Sequence, residues 1–116
     1  MYSEFRIPSN DDFLREFGVM PAVLGDSEVR EVHLSDHSGS GLELSYDPLG
    51  RSVKAVWRRE GELMVELFRE GLVSLDIRSG GGGTWLSVET LGGGLSGQLE
   101  IQVFPTIAVK DTILLA

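Results

Sequence analysis

The order of apolar and polar residues divides the chain into a short helical start and a long region of alternating positions. Ser9 precedes two acids and the apolar residues Phe13 and Phe17, and Gly18 follows where a helix commonly ends. A capping serine, acids in the first turn and apolar residues four positions apart together predict a helix over residues 10–17.

From residue 28 onward, apolar residues recur at every second position, which is the period of a half-buried strand. Turn residues separate the apolar sets, and no gap between them is long enough for a crossover helix. The sets are Val32 and Leu34; Leu42, Leu44 and Tyr46; Val53, Ala55 and Trp57; Leu63, Val65 and Leu67; Val73, Leu75 and Ile77; Leu86 and Val88; Leu99, Ile101 and Val103. The pattern predicts a mainly β (α+β) fold, in which the helix precedes an antiparallel meander sheet of about six to eight strands, curved or sandwich-like.

Side-chain parity also predicts how two of these strands meet. A three-residue loop ending at Gly71 would pair Leu67 with Val73 and Val65 with Leu75 in a hairpin, with apolar residues on one face. Gly71 would then occupy the left-handed position that such a loop requires.

The four consecutive glycines at 80–83 raise the question of a phosphate-binding loop. Thr84 and Trp85 follow them, so the lysine and the helix N-terminus that a P-loop needs are both missing. We therefore expect a flexible hairpin loop, in which serines at Gly81 and Gly82 would change stability by less than about 1 kcal/mol. The glycines at 92–94 are interpreted in the same way.

The residue types that carry catalysis and metal binding are scarce. The chain has no cysteine, and its two histidines, His33 and His37, flank Asp36 in a strand and a turn. That spacing does not preorganise a metal site, and the chain contains no nucleophile elbow. We predict no catalytic residues, no metal site, no cofactor and no enzyme activity.

The distribution of charge argues against nucleic acid as a partner. The net charge is −8, and residues 1–50 hold ten acids against three bases, whereas residues 51–116 hold eight against seven. Lys54 and Arg58 flank Trp57, but parity places the tryptophan in the core and the bases outward, toward acids on neighbouring strands. An acidic half favours a basic protein partner, although solubility alone would also explain it.

The chain shows no features of export or membrane insertion. Charged residues occur within the first dozen positions, and no run approaches the roughly 20 apolar residues of a membrane span. We expect a cytoplasmic protein with one domain over residues 1–116, without membrane contact. The apolar end at 113–116 is interpreted as a tail too short to anchor the chain.

The stretch EFGVMPAVLGDSEVREVHL, residues 16–34, resembles a region of small bacterial polymorphic-toxin immunity proteins. In that family a short helix, a glycine-aromatic-proline turn and an F-H-D-A-E-[VI] segment lead into a β-rich body. The matching residues are Gly18, Pro21, Asp26, Glu28 and Val29. Met20 replaces the aromatic residue, and Leu24 and Gly25 stand where the family has the residues before the aspartate, including its histidine.

The resemblance implies a protein without chemistry of its own that neutralises a cognate toxin by direct binding. The acids nearest the resemblance, Asp26, Glu28 and Glu31, have only Arg30 as a nearby base and are predicted to bind a basic toxin domain. The alternative is a β-rich scaffold module that forms a homo-oligomer, because a fold alone does not establish a function. The neighbouring gene distinguishes these two functions, because an immunity gene lies beside its toxin gene.

Overall fold

A computed structural model describes residues 5–115 of the 116-residue chain. It contains one helix followed by nine strands. Their bounds are α1 Asn10–Phe17, β1 Ala22–Val23, β2 Arg30–Ser35, β3 Ser40–Asp47, β4 Ser52–Arg59, β5 Glu62–Glu70, β6 Leu72–Gly80, β7 Gly83–Gly92, β8 Leu95–Phe104 and β9 Ala108–Leu115.

The helix forms where the sequence predicts it, and both of its ends are capped. Ser9 Oγ accepts a hydrogen bond from the Asp12 backbone N–H at 3.1 Å, and Asp12 Oδ2 accepts one from the Ser9 N–H at 3.0 Å. Gly18 ends the helix at φ 75°, in the left-handed region. Phe13 is fully buried and stacks on Tyr46, with ring centroids 6.1 Å apart. The helix is therefore attached to the β body by its apolar face.

The strands form two antiparallel sheets, in the orders β1-β2-β3-β4-β5 and β6-β7-β8-β9. Side chains from the inner faces of both sheets join in one buried cluster, so the architecture is a sandwich. Its members are Phe13, Val32, Leu34, Leu42, Leu44, Tyr46, Val53, Ala55, Leu72, Leu75, Leu86, Val88, Leu99, Ile101, Val103 and Ile107. Most of these residues belong to the alternating sets of the sequence, which confirms the mainly β fold with an N-terminal helix.

The predicted hairpin around Gly71 is wrong. β5 pairs with β4, and β6 pairs with β7, so Leu67 and Val65 do not face Val73 and Leu75 within one sheet. Gly71 instead carries the chain from one sheet to the other. Parity could not reveal this, because a strand keeps its apolar residues toward the core whether its neighbour lies beside it or in the opposite sheet.

Gly71 itself does adopt the predicted left-handed conformation, with φ 77°. Its carbonyl oxygen accepts a hydrogen bond from the Leu91 N–H at 2.8 Å, which joins the crossing to β7. A Cβ atom added at Gly71 would lie 2.1 Å from the Leu91 carbonyl oxygen. The backbone of the second sheet thus occupies the space that any side chain at this position would need.

The glycines at 80–83 lie in a hairpin between β6 and β7, as predicted, and its turn has only two residues. Gly80 pairs with Gly83, and the two central residues, Gly81 and Gly82, have φ 59° and 83°. These are the positive φ values that two-residue hairpin turns require. Each serine there would cost about 1 kcal/mol of left-handed strain, so the structure raises the expected effect of the double replacement to about 2 kcal/mol.

Two strands lie outside the seven alternating sets of the sequence. β1 has only two residues, and β9 carries Asp111 on its inner face, which interrupts the apolar alternation. The interpretation of the C-terminal segment as a tail is also wrong, because Ile113–Leu115 complete β9. Ala116 lies outside the described residues.

The outer face of the first sheet carries ion pairs between strands. Lys54 Nζ lies 3.6 Å from Glu66 Oε1, and Arg58 Nη1 lies 3.6 Å from Glu43 Oε1. Trp57 lies on the other face, partly buried against the core. This arrangement confirms that the tryptophan packs inward and the two bases point outward toward acids.

The sheet crossing gives a prediction about stability. Gly71→Ala should lower the free energy of unfolding by about 3 kcal/mol or more, because the methyl group meets backbone atoms and the left-handed conformation is strained. Gly81→Ala is the matched control, since its φ is also positive but no atom lies within 4 Å of the added Cβ. It should cost about 1 kcal/mol in urea unfolding. Equal losses for the two variants would contradict the assigned role of Gly71.

Candidate partner-binding surface

The turn between β1 and β2 presents two of the three predicted site residues to solvent. The Leu24 N–H donates to the Val29 carbonyl oxygen at 3.0 Å, and Ser27 Oγ donates to the Leu24 carbonyl oxygen at 2.5 Å. Backbone groups and Ser27 therefore hold the turn. Asp26 and Glu28 are exposed, and neither makes an ion pair within residues 5–115.

The third predicted site residue, Glu31, lies apart from the turn. It is half-buried in β2, opposite Ala22 and Ser45, and its carboxylate contacts His33 Nε2. Glu31 therefore belongs to the outer face of the first sheet. The structure brings Asp26 and Glu28 together in one exposed turn and leaves Glu31 beside it, with a partner of its own.

Arg30, the one base close to these acids in sequence, faces the other side of the sheet. It lies directly opposite Tyr46, whose ring is in the core. Burial raises the pKa of Tyr46 to about 12, and the charge of Arg30 opposes that rise. Because neighbouring residues of a strand point to opposite faces, Arg30 does not neutralise Glu31.

Exposed apolar residues precede the acidic turn, and the sequence reasoning did not select them. Met20, Val23 and Leu24 are 55%, 52% and 41% exposed. The signal for them was present, because the run from Val19 to Leu24 is apolar without alternation and so has no single buried face. We call Met20, Val23, Leu24, Asp26 and Glu28 the acidic turn surface. Apolar side chains bordered by unpaired charges are the usual composition of a protein-binding surface.

The histidine-containing segment has a structural role that is centred on Asp36. Asp36 Oδ1 accepts hydrogen bonds from the Ser38 N–H, the Ser38 hydroxyl and the Ser40 N–H at 2.8, 2.7 and 3.0 Å. Asp36 Oδ2 accepts one from the Ile107 N–H at 2.7 Å. This carboxylate thereby joins the β2–β3 turn of the first sheet to the β8–β9 connection of the second.

The hydrogen bonds also determine the protonation of Asp36. Burial alone would raise its pKa, but the bonds from Ile107, Ser38 and Ser40 stabilise the charged form more strongly and lower the pKa to about 2. The Asp36 carboxylate thus accepts hydrogen bonds from the turn and from Ile107, while His33 contacts Glu31. Within the described residues 5–115, no group of three histidine, cysteine or acidic side chains is arranged to hold a metal ion.

A groove of about 580 Å³ lies between α1 and β6. Its arginines are engaged in ion pairs: Arg6 Nη2 lies 3.1 Å from Asp76 Oδ2, and Arg15 Nη2 lies 2.8 Å from Asp12 Oδ1. The arginines of the groove are therefore paired with acids of the groove itself.

Comparison with known proteins identifies a structural relative but no sequence family. No protein-family model matches the chain, and no curated protein sequence does. The fold resembles one chain of a contact-dependent growth inhibition toxin–immunity protein complex from Klebsiella pneumoniae 342, with a TM-score of 0.83 over 98% of this chain and 100% of that chain. The two chains share one fold. At 18% identity the likeness concerns the fold, and it is consistent with the immunity-protein resemblance of residues 16–34.

Length and apolar character decide whether a helix can span a bilayer. In the part of the chain that the structure describes, no helix has the length and apolar character needed to span a bilayer.

The hydrogen bonds of Asp36 give a prediction about pH. Asp36→Asn should lower the free energy of unfolding at pH 7 by about 1–3 kcal/mol, because an amide cannot accept from four donors as the carboxylate does. A lowered folded-state pKa contributes stability that is present above the unfolded pKa of about 4 and lost as the pH falls toward about 2. The difference between wild type and variant should therefore shrink over that range.

Urea unfolding at a series of pH values measures this difference. Asp26→Asn is the matched control, because it removes an exposed carboxylate that makes no ion pair to a described residue, and it should change stability by less than about 0.5 kcal/mol. A pH-independent loss for Asp36→Asn would exclude the charge of Asp36 as the source of stability.

Proposed function

We propose that this protein is a cytoplasmic immunity protein that neutralises a cognate bacterial toxin by direct binding, without catalysis. The observation that carries the proposal is the likeness of fold, over the whole of both chains, to a chain from a toxin–immunity protein complex. The resemblance of residues 16–34 to immunity proteins supports the proposal from the sequence side.

We assign the acidic turn surface as the site that binds the toxin. Asp26 and Glu28 lie in an exposed turn, and the excess of acids in residues 1–50 extends the negative field around them. Complementary charge steers association, and adjacent apolar side chains supply the contact that desolvates on binding. The partner that fits is a basic toxin domain, with Met20, Val23 and Leu24 as apolar contacts and Glu31 at the edge of the surface.

A protection assay tests the function. The polypeptide encoded next to this chain's gene is expressed in a susceptible bacterium from an inducible promoter, with or without this chain. We expect growth to stop without the chain and to continue with it, and the two purified proteins to form a stable complex. Continued toxicity despite soluble expression of this chain, or protection without a complex, would contradict neutralisation by direct binding.

Charge reversal tests the surface. Asp26→Lys with Glu28→Lys should slow association with that toxin by about tenfold at low salt, and the difference should diminish as salt screens the charges. The fold should be unaffected, because exposed carboxylates contribute little to stability. Association rates measured at several ionic strengths report both effects.

The matched control is Glu62→Lys with Glu70→Lys, which changes the net charge by the same amount at two exposed positions of β5. An effect confined to the turn variant supports the acidic turn surface. Equal slowing by both variants would mean that net charge alone steers the partner, and no slowing by either would remove electrostatic steering.

A further inference from the structure

The two sheets have four edges, and the described residues protect them unequally. β1 is only two residues long, and β6 is bridged at Ser74 by the segment at Arg6, whose N–H donates to the Val73 carbonyl oxygen at 3.2 Å. The other two edge strands, β5 and β9, are long. β5 carries several charged side chains, which oppose pairing with another strand, whereas the last four residues of β9, from Thr112 to Leu115, carry none.

Five exposed apolar side chains flank the end of β9, on both faces of the second sheet. The register sets Leu91 and Leu114 on either side of Ser96, and it sets Leu95 opposite Leu115. Ile113 is the fifth. All five are exposed, with Leu114 and Leu115 at 63% and 88%. We call Leu91, Leu95, Ile113, Leu114 and Leu115 the β9 corner. It combines an open strand edge with apolar side chains on both faces of the sheet: Leu91 and Leu114 on one, and Leu95, Ile113 and Leu115 on the other.

The net charge of the chain lies mainly in its first part, and Arg69 and Glu70, which line the groove beside Leu95 and Ile113, have opposite charges. Residues 72–116 contain four acids and two bases, whereas residues 1–71 contain fourteen acids and eight bases. The nearest acid on β9, Asp111, pairs with Arg69 of the first sheet. A basic partner would therefore gain little by binding here. Two copies of this acidic chain, however, can meet at the β9 corner while their excess acids stay apart.

We propose that β9 pairs in an antiparallel arrangement with β9 of a second copy, across a two-fold axis, to form one eight-stranded sheet. An edge strand satisfies its open backbone groups by such pairing, and a two-fold contact is self-complementary by construction. Like charges directly opposite each other destabilise a pair, which excludes an axis at Lys110 or at Asp111. We place the axis at Ile113, where Ile113 faces its own copy and Thr112 faces Leu114.

This inference is independent of the toxin-neutralising function. Sedimentation equilibrium from about 1 µM to about 1 mM should show the wild-type chain associating to a dimer. Leu114→Lys with Leu115→Lys should weaken the dimer by about tenfold or more, since lysines protect natural edge strands from pairing. The control Leu49→Lys alters a side chain that is 80% exposed in the β3–β4 turn, and it should leave the dimer unchanged.

The absence of cysteine from the natural chain makes a second test specific. Ile113→Cys should form a covalent dimer with a short bismaleimide, and Leu49→Cys should not. Dimerisation without cross-linking at residue 113 would overturn the β9 pairing. So would a dimer of the Leu114→Lys, Leu115→Lys variant that is as stable as the wild-type dimer. A wild-type monomer at all concentrations would also overturn it. Hydrogen exchange that slows in β9 only after the toxin is added would then assign this edge to the toxin.

Discussion

The close contact between the backbones of Gly71 and Leu91 is the constraint on which the sandwich depends. The chain passes from β5 to β6 through a single residue, and at that residue it changes sheets. A left-handed φ and the absence of a side chain are both necessary, because the Leu91 carbonyl oxygen lies where a Cβ atom would be. With so short a connection, the ends of the two sheets must meet, and their inner faces are brought into one core.

Two further contacts fix other parts of the fold: one holds the helix on the first sheet, and the other joins the two sheets. Phe13 of α1 stacks on Tyr46 at the core, and Asp36 joins the β2–β3 turn to the backbone N–H of Ile107. The first contact is apolar and depends on burial, whereas the second depends on a charged carboxylate with a low pKa. The stability of the sandwich therefore has a part that is insensitive to pH and a part that requires Asp36 to be ionised.

The exposed surfaces divide into two kinds with different physical character. The acidic turn surface combines Asp26 and Glu28 with apolar neighbours, and it suits a basic protein attracted over a distance. The β9 corner lacks charge and offers an open strand edge, which suits short-range pairing with another strand. The two surfaces belong to different sheets, so the proposed toxin contact and the proposed pairing with a second copy would use separate parts of the molecule.

The sequence by itself determined the local structure of this protein. Alternation of apolar residues defined seven of the nine strands, capping by Ser9 and Gly18 defined the helix, and positive-φ glycines marked the turns, because each of these depends on nearby residues. It also indicated the exposed acids Asp26 and Glu28. Only the tertiary structure decided which strands pair, because parity is the same for a neighbour in one sheet and for a strand across the core. The same holds for Asp36, whose bond to Ile107 spans 71 residues, and for β9, whose inward Asp111 is accommodated by Arg69 from the other sheet.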